Sequence, residues 1–322
     1  MECFCSGKNW FKLLDCMIIG QVFGSNQYNI SKVLNEEYGE LIASNVLKKT
    51  GPKTLSIASH KENTLTLGID ACKKLLDNQN IDKASFLSNI KNLFSVTESP
   101  SLLFPGNGTK IASELNIPQE VSIFDLNAGC TGFVDAIRLS FGLSEPSLIV
   151  CSETYSKHWT KFNRAVSSLF ADAAAATYFT PKDWDLLHSS GKYQHDTSLI
   201  ISSPVGSPDT GEVRMIGKDV ASFVNSLVIP SLKEIIEKHT IIDRGYFHQG
   251  SLFVVELLQS KLNRHFASMP TNIIERGNSV SATLPILIND DIQVNPIKSG
   301  EKILIAGFGV GLSFSVCILK KK

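Results

Sequence analysis

Three side chains, far apart in the sequence, have the types that covalent acyl chemistry on a thiol requires. Cys130 follows the apolar run 121–126 and opens the amphipathic segment CTGFVDAIRLS. His248 lies in GYFHQGS and Asn278 in ERGNSVSATLP, both far downstream. A thiol nucleophile at a strand-to-helix turn, joined by one His and one Asn from later loops, is the side-chain set of a decarboxylating acyl condensation. We therefore expect the three to converge on one site.

Each of these residues also has an ordinary structural explanation. An isolated Cys is most often a small buried hydrophobe. His248 would equally suit a cap or a core position, and Gly-Asn-Ser around Asn278 is a common turn. Cys130 is distinguished by its setting, because a thiol at the first turn of a helix faces exposed N–H groups and the positive end of the helix dipole. That setting predicts a lowered thiol pKa.

The glycine loop GFGVGLS, residues 307–313, has two compatible interpretations. It is not a dinucleotide motif, because it follows the last helical pattern and leaves no room for a βαβ unit. A backbone loop that offers N–H donors to an oxyanion is the functional interpretation. A tight turn of a buried hairpin is the structural one.

The elements that must position these residues alternate along the chain. Apolar runs at 16–23, 121–126, 147–153 and 173–179 are separated by helical patterns, and the alternation restarts after Pro181 with runs at 197–203 and 245–249. This order predicts an α/β fold with buried sheets and helices packed outside. The restart predicts two similar halves, 1–180 with the nucleophile and 181–322 with His and Asn, that share one interface.

Composition narrows the class of protein. The chain has 322 residues, 43% of them hydrophobic and 19% charged, which is typical of a folded soluble protein. Lys plus Arg and Asp plus Glu both number 31, so net charge indicates neither a nucleic acid nor a membrane as partner.

Cysteine usage and the chain ends indicate a cytoplasmic protein. The seven cysteines show neither zinc-type spacing nor an even count, which disfavours a metal site and a disulfide framework; they lie at 3, 5, 16, 72, 130, 151 and 317. Glu2, Lys8, Lys12 and Asp15 interrupt any signal-peptide core. The uncharged run 303–319 resembles a short tail anchor, but its alternate glycines favour two buried strands.

The motifs together resemble those of one family. DLNAGCTGF, SETYS, NRAVSSLFADAAAATYF, FHQGS, RGNSVSATLP and GFGVGLS are similar, in order and spacing, to motifs of β-ketoacyl-acyl carrier protein synthase III, a thiolase-fold condensing enzyme. The resemblance runs from about Lys48 to the C-terminus. It implies a thiolase-like fold in which two βαβαβαββ halves form a five-layer α-β-α-β-α arrangement.

The resemblance also implies a role for each site residue. Cys130 would accept the acyl group, and His248 and Asn278 would hydrogen-bond the malonyl thioester carbonyl as carbon dioxide leaves. The backbone N–H groups of Cys130 and Val310 would form a second oxyanion hole. Phe104 would reach across a homodimer interface to close the partner's acyl pocket, although a core phenylalanine beside the Pro-Gly turn is the alternative.

The same resemblance implies the ligands. Acyl-CoA or acyl-ACP and malonyl-ACP would enter as substrates, with an acidic carrier protein as partner and no metal or resident cofactor. The setting would be cytoplasmic lipid metabolism, either fatty acid biosynthesis or a polyketide-like secondary pathway.

Several positions depart from the family pattern around the substrate. Asn45 stands where the family has a tryptophan that stacks on the coenzyme A adenine, and Lys49 replaces a neighbouring arginine. Arg164 keeps its adenine-side position, and the HQAN motif ends here in Ser251. Phe253 replaces an arginine that helps dock the carrier. These departures predict a specialised paralogue with a different donor or carrier.

Other functions remain open from the sequence. A degradative thiolase is disfavoured, because the second cysteine expected before the glycine loop is absent from 305–307. An acyltransferase of the same fold would pass the acyl group on Cys130 to an amine, hydroxyl or thiol acceptor without decarboxylation. A non-catalytic subunit that pairs with an active homologue is a further possibility. Asn278 favours condensation, since simple transfer needs chiefly a base.

Overall fold

The structure, a computed structural model, describes residues 17–77, 82–159, 162–197, 201–202, 213–239 and 241–322. The N-terminal charges at 2, 8, 12 and 15 and the cysteines at 3, 5 and 16 lie outside these ranges. Strands and helices alternate through the described part of the chain.

The strands are β1 (Met17–Phe23), β2 (Asn26–Asn29), β3 (Thr54–Ile57), β4 (Asn92–Val96), β5 (Ser122–Leu126), β6 (Ser147–Glu153), β7 (Ala173–Phe179), β8 (Trp184–Tyr193), β9 (Ile201–Ser202), β10 (Arg214–Met215), β11 (Ile242–Phe247), β12 (Phe266–Ser268), β13 (Lys302–Gly309) and β14 (Ser313–Lys321). The helices are α1 (Ile30–Tyr38), α2 (Glu40–Thr50), α3 (Thr64–Asp77), α4 (Lys83–Asn89), α5 (Asn107–Leu115), α6 (Gly132–Leu143), α7 (Gly217–Phe223), α8 (Ile229–Ile236), α9 (Leu252–Leu262), α10 (Ile273–Arg276) and α11 (Thr283–Ile292). A π-helical segment, Val224–Val228, joins α7 to α8.

Two five-stranded sheets share one topology. The first has the order β1-β7-β6-β4-β5 and the second, from its other edge, β8-β14-β13-β11-β12. In each sheet, read in these orders, the first strand pairs antiparallel with the second, and the second pairs antiparallel with the third. The third pairs parallel with the fourth, and the fourth pairs parallel with the fifth. If the five strands of each sheet are ranked by their order in the chain, both sheets show the same sequence: first, fifth, fourth, second, third. The two halves therefore have the same strand connections, as the alternation of elements predicted.

The helices form three layers around these sheets. Apolar side chains of α3 and α5 pack on the outer face of the first sheet. Those of α6 and α11 fill the space between the sheets, and those of α8 and α9 cover the second sheet from outside. The predicted thiolase-like, five-layer fold is confirmed; the division into domains at residue 180 stays a prediction.

The C-terminal apolar run forms buried strands. β13 and β14 pair antiparallel from Lys302–Lys320 to Gly309–Ser313, and most of their side chains are buried. The prediction of buried strands at 303–319 is therefore confirmed. In the part of the chain that the structure describes, no helix has the length and apolar character needed to cross a bilayer.

The prediction that the second half begins with a strand at 197–203 is wrong. The second sheet begins with β8, whereas only two residues of the predicted run 197–203 form a strand, β9, which pairs with β10 outside both large sheets. Residues 198–200 and 203 lie outside the described ranges. β8 is an edge strand with most of its side chains exposed, so it lacks the apolar run by which a buried strand is recognised.

Candidate active site

Cys130 lies in the turn between β5 and α6, one residue before the helix N-cap Thr131. Strand β5 ends at Leu126, and the intervening turn carries the thiol toward the second sheet. The side chain is only 6% exposed, and it lines a cavity of about 630 Å³. The predicted strand-to-helix position of the nucleophile is thus found in the fold.

The glycines of β13 make room for this turn. A Cβ built on Gly307 would lie 2.8 Å from the Cα of Thr131, and one built on Gly309 would lie 2.8 Å from the Cβ of Cys130 and closer still to its Sγ. These separations are too short for non-bonded atoms. The glycine loop therefore serves as a close-packed backbone wall beside the thiol.

The backbone N–H groups of Cys130 and Val310 both lie where they stabilise negative charge on the Cys130 sulfur. Val310 directly follows β13, and Cys130 directly precedes the N-cap of α6. The structure therefore brings the two predicted oxyanion donors to one place.

His248 follows the last residue of β11 and is 2% exposed. Its Nδ1 lies 2.6 Å from Oγ1 of Thr283, the first residue of α11. The ring of Phe308 meets the imidazole edge to face, with 5.6 Å between ring centroids. Burial lowers the pKa of His248 to about 3, so the ring is neutral near pH 7.

The carboxamide of Asn278 is held from both ends. Its Oδ1 accepts a hydrogen bond of 2.8 Å from the backbone N–H of Val280, and its Nδ2 donates one of 3.1 Å to the carbonyl of Gly250. Val280 has φ of 52°, a conformation that a β-branched residue rarely adopts. Because an amide nitrogen carries two hydrogens, Asn278 keeps one to donate to a ligand.

The cavity brings Cys130, His248 and Asn278 together. Helix α2, the segment 164–170, α7 and the start of α9 supply most of the remaining wall. Three exposed cations lie among the lining residues: Lys49, Arg164 and Lys218. The site thus combines an apolar interior with a basic mouth, an arrangement that suits an apolar acyl chain joined to an anionic carrier.

The predicted low thiol pKa is wrong. Burial raises the pKa of Cys130 well above its ordinary value, and the nearby Glu98 and Glu153 carboxyls raise it further. The two backbone N–H groups oppose this increase but do not overcome it. The helix-terminus argument fails here because it considered only the local turn, whereas the tertiary fold surrounds the sulfur with apolar atoms and acidic neighbours.

No sequence pattern indicated the acidic pair formed by the fully buried Glu153 and the partly buried Glu98. Oε2 of Glu98 accepts a hydrogen bond of 2.5 Å from the hydroxyl of Tyr155, a residue that also lines the cavity. Burial, and then the charge of Glu98, raises the pKa of Glu153 to about 8. The hydroxyls of Ser281 and Ser99 donate to Glu153 at 2.6 and 2.7 Å. The segment TESPS around Glu98 carries no motif from which this pair could have been found.

The remaining predicted ligand-binding residues divide into two groups. Lys49, Arg164 and Ser251 line the cavity. Ser251 is also the N-cap of α9, because its Oγ accepts from the N–H of Val254 at 3.3 Å. Phe104 does not line the cavity in this chain and is 82% exposed. The roles of these four residues stay predictions.

Two positions that depart from the family pattern also line the cavity. Asn45 lies on the exposed side of α2, one turn before Lys49. Phe253 lies in the first turn of α9 and is 48% exposed. The ring of Tyr38 faces the guanidinium of Arg164 at 5.8 Å, so an aromatic surface is present beside this cation although the tryptophan is replaced.

Comparison with known proteins gives matches over most of the chain. The model of the 3-oxoacyl-(acyl-carrier-protein) synthase III family matches residues 124–192, and that of its C-terminal region matches 237–321. β-Ketoacyl-(acyl-carrier-protein) synthase III of Clostridium novyi (strain NT) is 29% identical over 311 residues, which are 89% of this chain and 94% of the relative.

Solved structures are similar over nearly the whole chain. Synthase III from Thermus thermophilus has a TM-score of 0.82 at 20% identity, covering 96% of this chain and 99% of its own. The priming β-ketosynthase from the R1128 polyketide biosynthetic pathway has a TM-score of 0.81 at 22% identity, covering 95% and 96%. At these identities the likeness establishes the shared fold.

Proposed function

The chain belongs to the 3-oxoacyl-(acyl-carrier-protein) synthase III family of condensing enzymes, and from that premise we propose that it joins an acyl group held on Cys130 to a malonyl thioester. The product is a β-ketoacyl thioester, and carbon dioxide is released. The observation that carries the proposal is the meeting of a thiol, a neutral imidazole and an anchored carboxamide in one cavity.

In the first half-reaction Cys130 attacks the thioester carbonyl of the acyl donor. Negative charge develops on the carbonyl oxygen, and the backbone N–H groups of Cys130 and Val310, which both reach the Cys130 sulfur, would stabilise that charge. The donor thiol leaves, and the acyl group remains on the sulfur. Because the raised pKa keeps Cys130 protonated at rest, the thiol loses its proton as the donor thiolate gains one.

In the second half-reaction the malonyl carboxylate is lost as carbon dioxide, and its bonding electrons form an enolate. The free Nδ2–H of Asn278 and the imidazole of His248 hydrogen-bond the enolate oxygen, which carries charge only after the bond has broken. The enolate carbon then attacks the acyl-Cys130 carbonyl, and the sulfur leaves as a thiolate that takes up a proton. No resident cofactor is required.

The basic residues at the mouth of the cavity support a substrate whose acyl chain is attached to a negatively charged carrier. Lys49, Arg164 and Lys218, which line the cavity, would pair with the phosphates of coenzyme A or of a phosphopantetheine arm. We propose acyl-CoA or acyl-ACP as donor and malonyl-ACP as extender, with the reducing cytoplasm as the compartment in which a catalytic thiol stays free.

We further propose that the enzyme is a homodimer. Strand β5 is an edge strand of the first sheet and exposes Ile123 and Phe124, and the loop that precedes α5 exposes Leu103 and Phe104 at more than four-fifths of their surface. Exposed apolar side chains of this kind mark association surfaces. Phe104→Glu should convert the dimer to monomers in sedimentation analysis, whereas Val294→Glu, at another exposed apolar position, should not. A wild-type monomer at micromolar concentration would contradict the dimer.

Transfer of the acyl group to an amine or hydroxyl acceptor is less well supported. Such transfer needs a base that removes a proton from the acceptor, and a buried His248 with a pKa of about 3 is a weak base. A purely structural subunit has no use for a cavity that reaches Cys130.

The test separates the two half-reactions. Mass spectrometry after incubation with a panel of acyl thioesters should find the acyl group on Cys130, and Cys130→Ala should abolish it. Asn278→Ala should retain acyl loading but lose most carbon dioxide release from a malonyl thioester. If the Asn278 variant decarboxylates at the wild-type rate, condensation as described is wrong.

A further inference from the structure

The buried imidazole of His248 has one close polar neighbour that the reaction described above does not use. Oγ1 of Thr283 lies 2.6 Å from Nδ1, and both side chains are buried. A neutral imidazole carries one ring hydrogen, and the hydrogen bond made by one nitrogen decides whether the other is a donor or an acceptor. The direction of this bond therefore decides what Nε2 can do.

The hydroxyl of Thr283 has one hydrogen and two acceptors within reach. One is Nδ1 of His248 at 2.6 Å, and the other is the carbonyl oxygen of Val280 at 2.9 Å. That carbonyl already accepts a hydrogen bond from the backbone N–H of Thr283, which closes the short helical turn. The carbonyl is therefore paired even without the hydroxyl, which leaves the hydroxyl hydrogen available to Nδ1.

The length of the contact supports the same direction. An N–H group that donates to oxygen makes bonds of about 2.7–3.2 Å, and the 2.6 Å between Nδ1 and Oγ1 is shorter than this range. The shorter of the two Thr283 contacts is thus the one expected to contain the hydroxyl hydrogen.

Nε2 of His248 and the carboxamide of Asn278 both lie close to Gly250. A Cβ built on Gly250 would be 4.0 Å from Nε2, and the carbonyl of the same Gly250 accepts from Nδ2 of Asn278 at 3.1 Å. Both side chains line the cavity. A hydrogen on Nε2 would therefore be offered on the same side of the cavity as the free hydrogen of Asn278.

We propose that Thr283 donates its hydroxyl hydrogen to Nδ1 of His248 and so keeps the ring hydrogen on Nε2. Thr283 is then a positioning residue that makes His248 a hydrogen-bond donor to the thioester carbonyl rather than a base. The consequence for the reaction rests on the proposed function: a donor at Nε2 assists decarboxylation, and a ring without a free Nε2 lone pair does not deprotonate an amine or hydroxyl acceptor. The direction of the bond itself does not depend on that function.

The direct test is ¹⁵N NMR of histidine-labelled protein. His248 is assigned by the signal that disappears in His248→Gln. We expect a pyridine-type Nδ1 and a pyrrole-type Nε2 in the resting wild type, and the same pattern in Thr283→Ser, which keeps the hydroxyl. A pyrrole-type Nδ1 in the wild type would overturn the proposal, because Thr283 would then be the acceptor.

The kinetic test uses Thr283→Val, which keeps the shape of the side chain and removes the hydroxyl. Loss of one hydrogen bond to the ring should reduce carbon dioxide release roughly 10-fold, and by more than it reduces acyl loading of Cys130. Thr283→Ser should recover most of this loss, which a role in packing alone would not predict. Equal losses in both half-reactions for the valine variant, with no recovery by serine, would overturn the proposal.

The two proposals fail in different ways. A wild-type protein with the expected NMR pattern but without carbon dioxide release would leave the Thr283 bond in place and refute the condensation. A wild-type protein that decarboxylates malonyl thioesters with a pyrrole-type Nδ1 would refute only the role of Thr283. If the valine variant does not fold, the wild-type spectrum alone decides the direction of the bond.

Discussion

Gly309 lies directly against Cys130: a Cβ added at 309 would be 2.8 Å from the Cβ of Cys130 and nearer still to its sulfur. The wall of the site beside the nucleophile is therefore bare backbone. This contact, together with a φ of 157° that residues with a side chain rarely adopt, explains why a glycine stands at the end of β13.

Gly309→Ala should displace the thiol and impair acyl loading. We expect the rate of acylation of Cys130 to fall at least about 10-fold, because the added methyl overlaps the sulfur and rigid backbone surrounds both. Acylation is measured by mass spectrometry at short times. Gly142→Ala is the matched control, since a Cβ there meets nothing within 4 Å and should stabilise helix α6 by about 0.5–1 kcal/mol. Normal loading by the Gly309 variant would contradict the observed packing.

Glu98→Gln should make the thiol of Cys130 more reactive. Burial is the main cause of its raised pKa and the Glu98 charge is the next, so removing the charge lowers the thiol pKa. The introduced carboxamide retains an oxygen that can accept the hydrogen bond from Tyr155. We expect the rate of iodoacetamide labelling at about pH 9 to rise roughly 3- to 10-fold.

Glu120→Gln, at an exposed carboxyl, is the control for this labelling experiment. A pH profile of alkylation identical to that of the wild type would mean that Glu98 does not act on the sulfur. The wild-type profile itself should show slow labelling at neutral pH, contrary to the lowered thiol pKa predicted from the sequence.

Glu153 should make the stability of the protein decrease with rising pH. Its pKa is about 8 in the folded protein, whereas an unperturbed Glu has a pKa of 4.5, so the folded state binds the proton more strongly than the unfolded state between these values. The contribution is fully present below pH 4.5 and is lost as pH rises through 8, with a slope of at most about 1.4 kcal/mol per pH unit. Glu153→Gln removes this titration. Urea unfolding of both proteins across the range measures it, and parallel curves would refute the assignment.

Phe253→Arg should strengthen use of a carrier-bound extender. Phe253 is half exposed and lines the cavity at the first turn of α9, so an arginine there would add a cation at the mouth. We expect the KM for malonyl-ACP to fall roughly 3- to 10-fold, with little change for malonyl-pantetheine, which lacks the acidic protein. Ile241→Arg adds the same charge at another exposed apolar position and should change neither value. If both variants lower the KM for malonyl-ACP equally, the effect comes from the added net charge and not from the position of Phe253.

The amino-acid sequence was enough to predict the fold family, half of the described strands and the local settings of Cys130, His248 and Asn278, which line one cavity. Those features are local: the Cys130 turn follows a short strand, His248 ends a buried strand, and Asn278 lies in a recognisable turn. The catalytic roles of these three side chains stay predictions. Apolar runs located most of the buried strands but missed β4, which is buried along its whole length. They also missed β8, because an edge strand with exposed side chains has no apolar run.

The electrostatics of the site, by contrast, depend on contacts that exist only in the folded chain. The thiol pKa depends on Glu98 and on burial, and the state of the imidazole depends on Thr283, none of which adjoins the affected residue in sequence. Such effects act across a few ångströms in a medium of low polarity, where burial together with nearby carboxyls outweighs the local helix terminus. A linear pattern records which residues are present, whereas their distances and their exclusion from water arise only when the two sheets pack together.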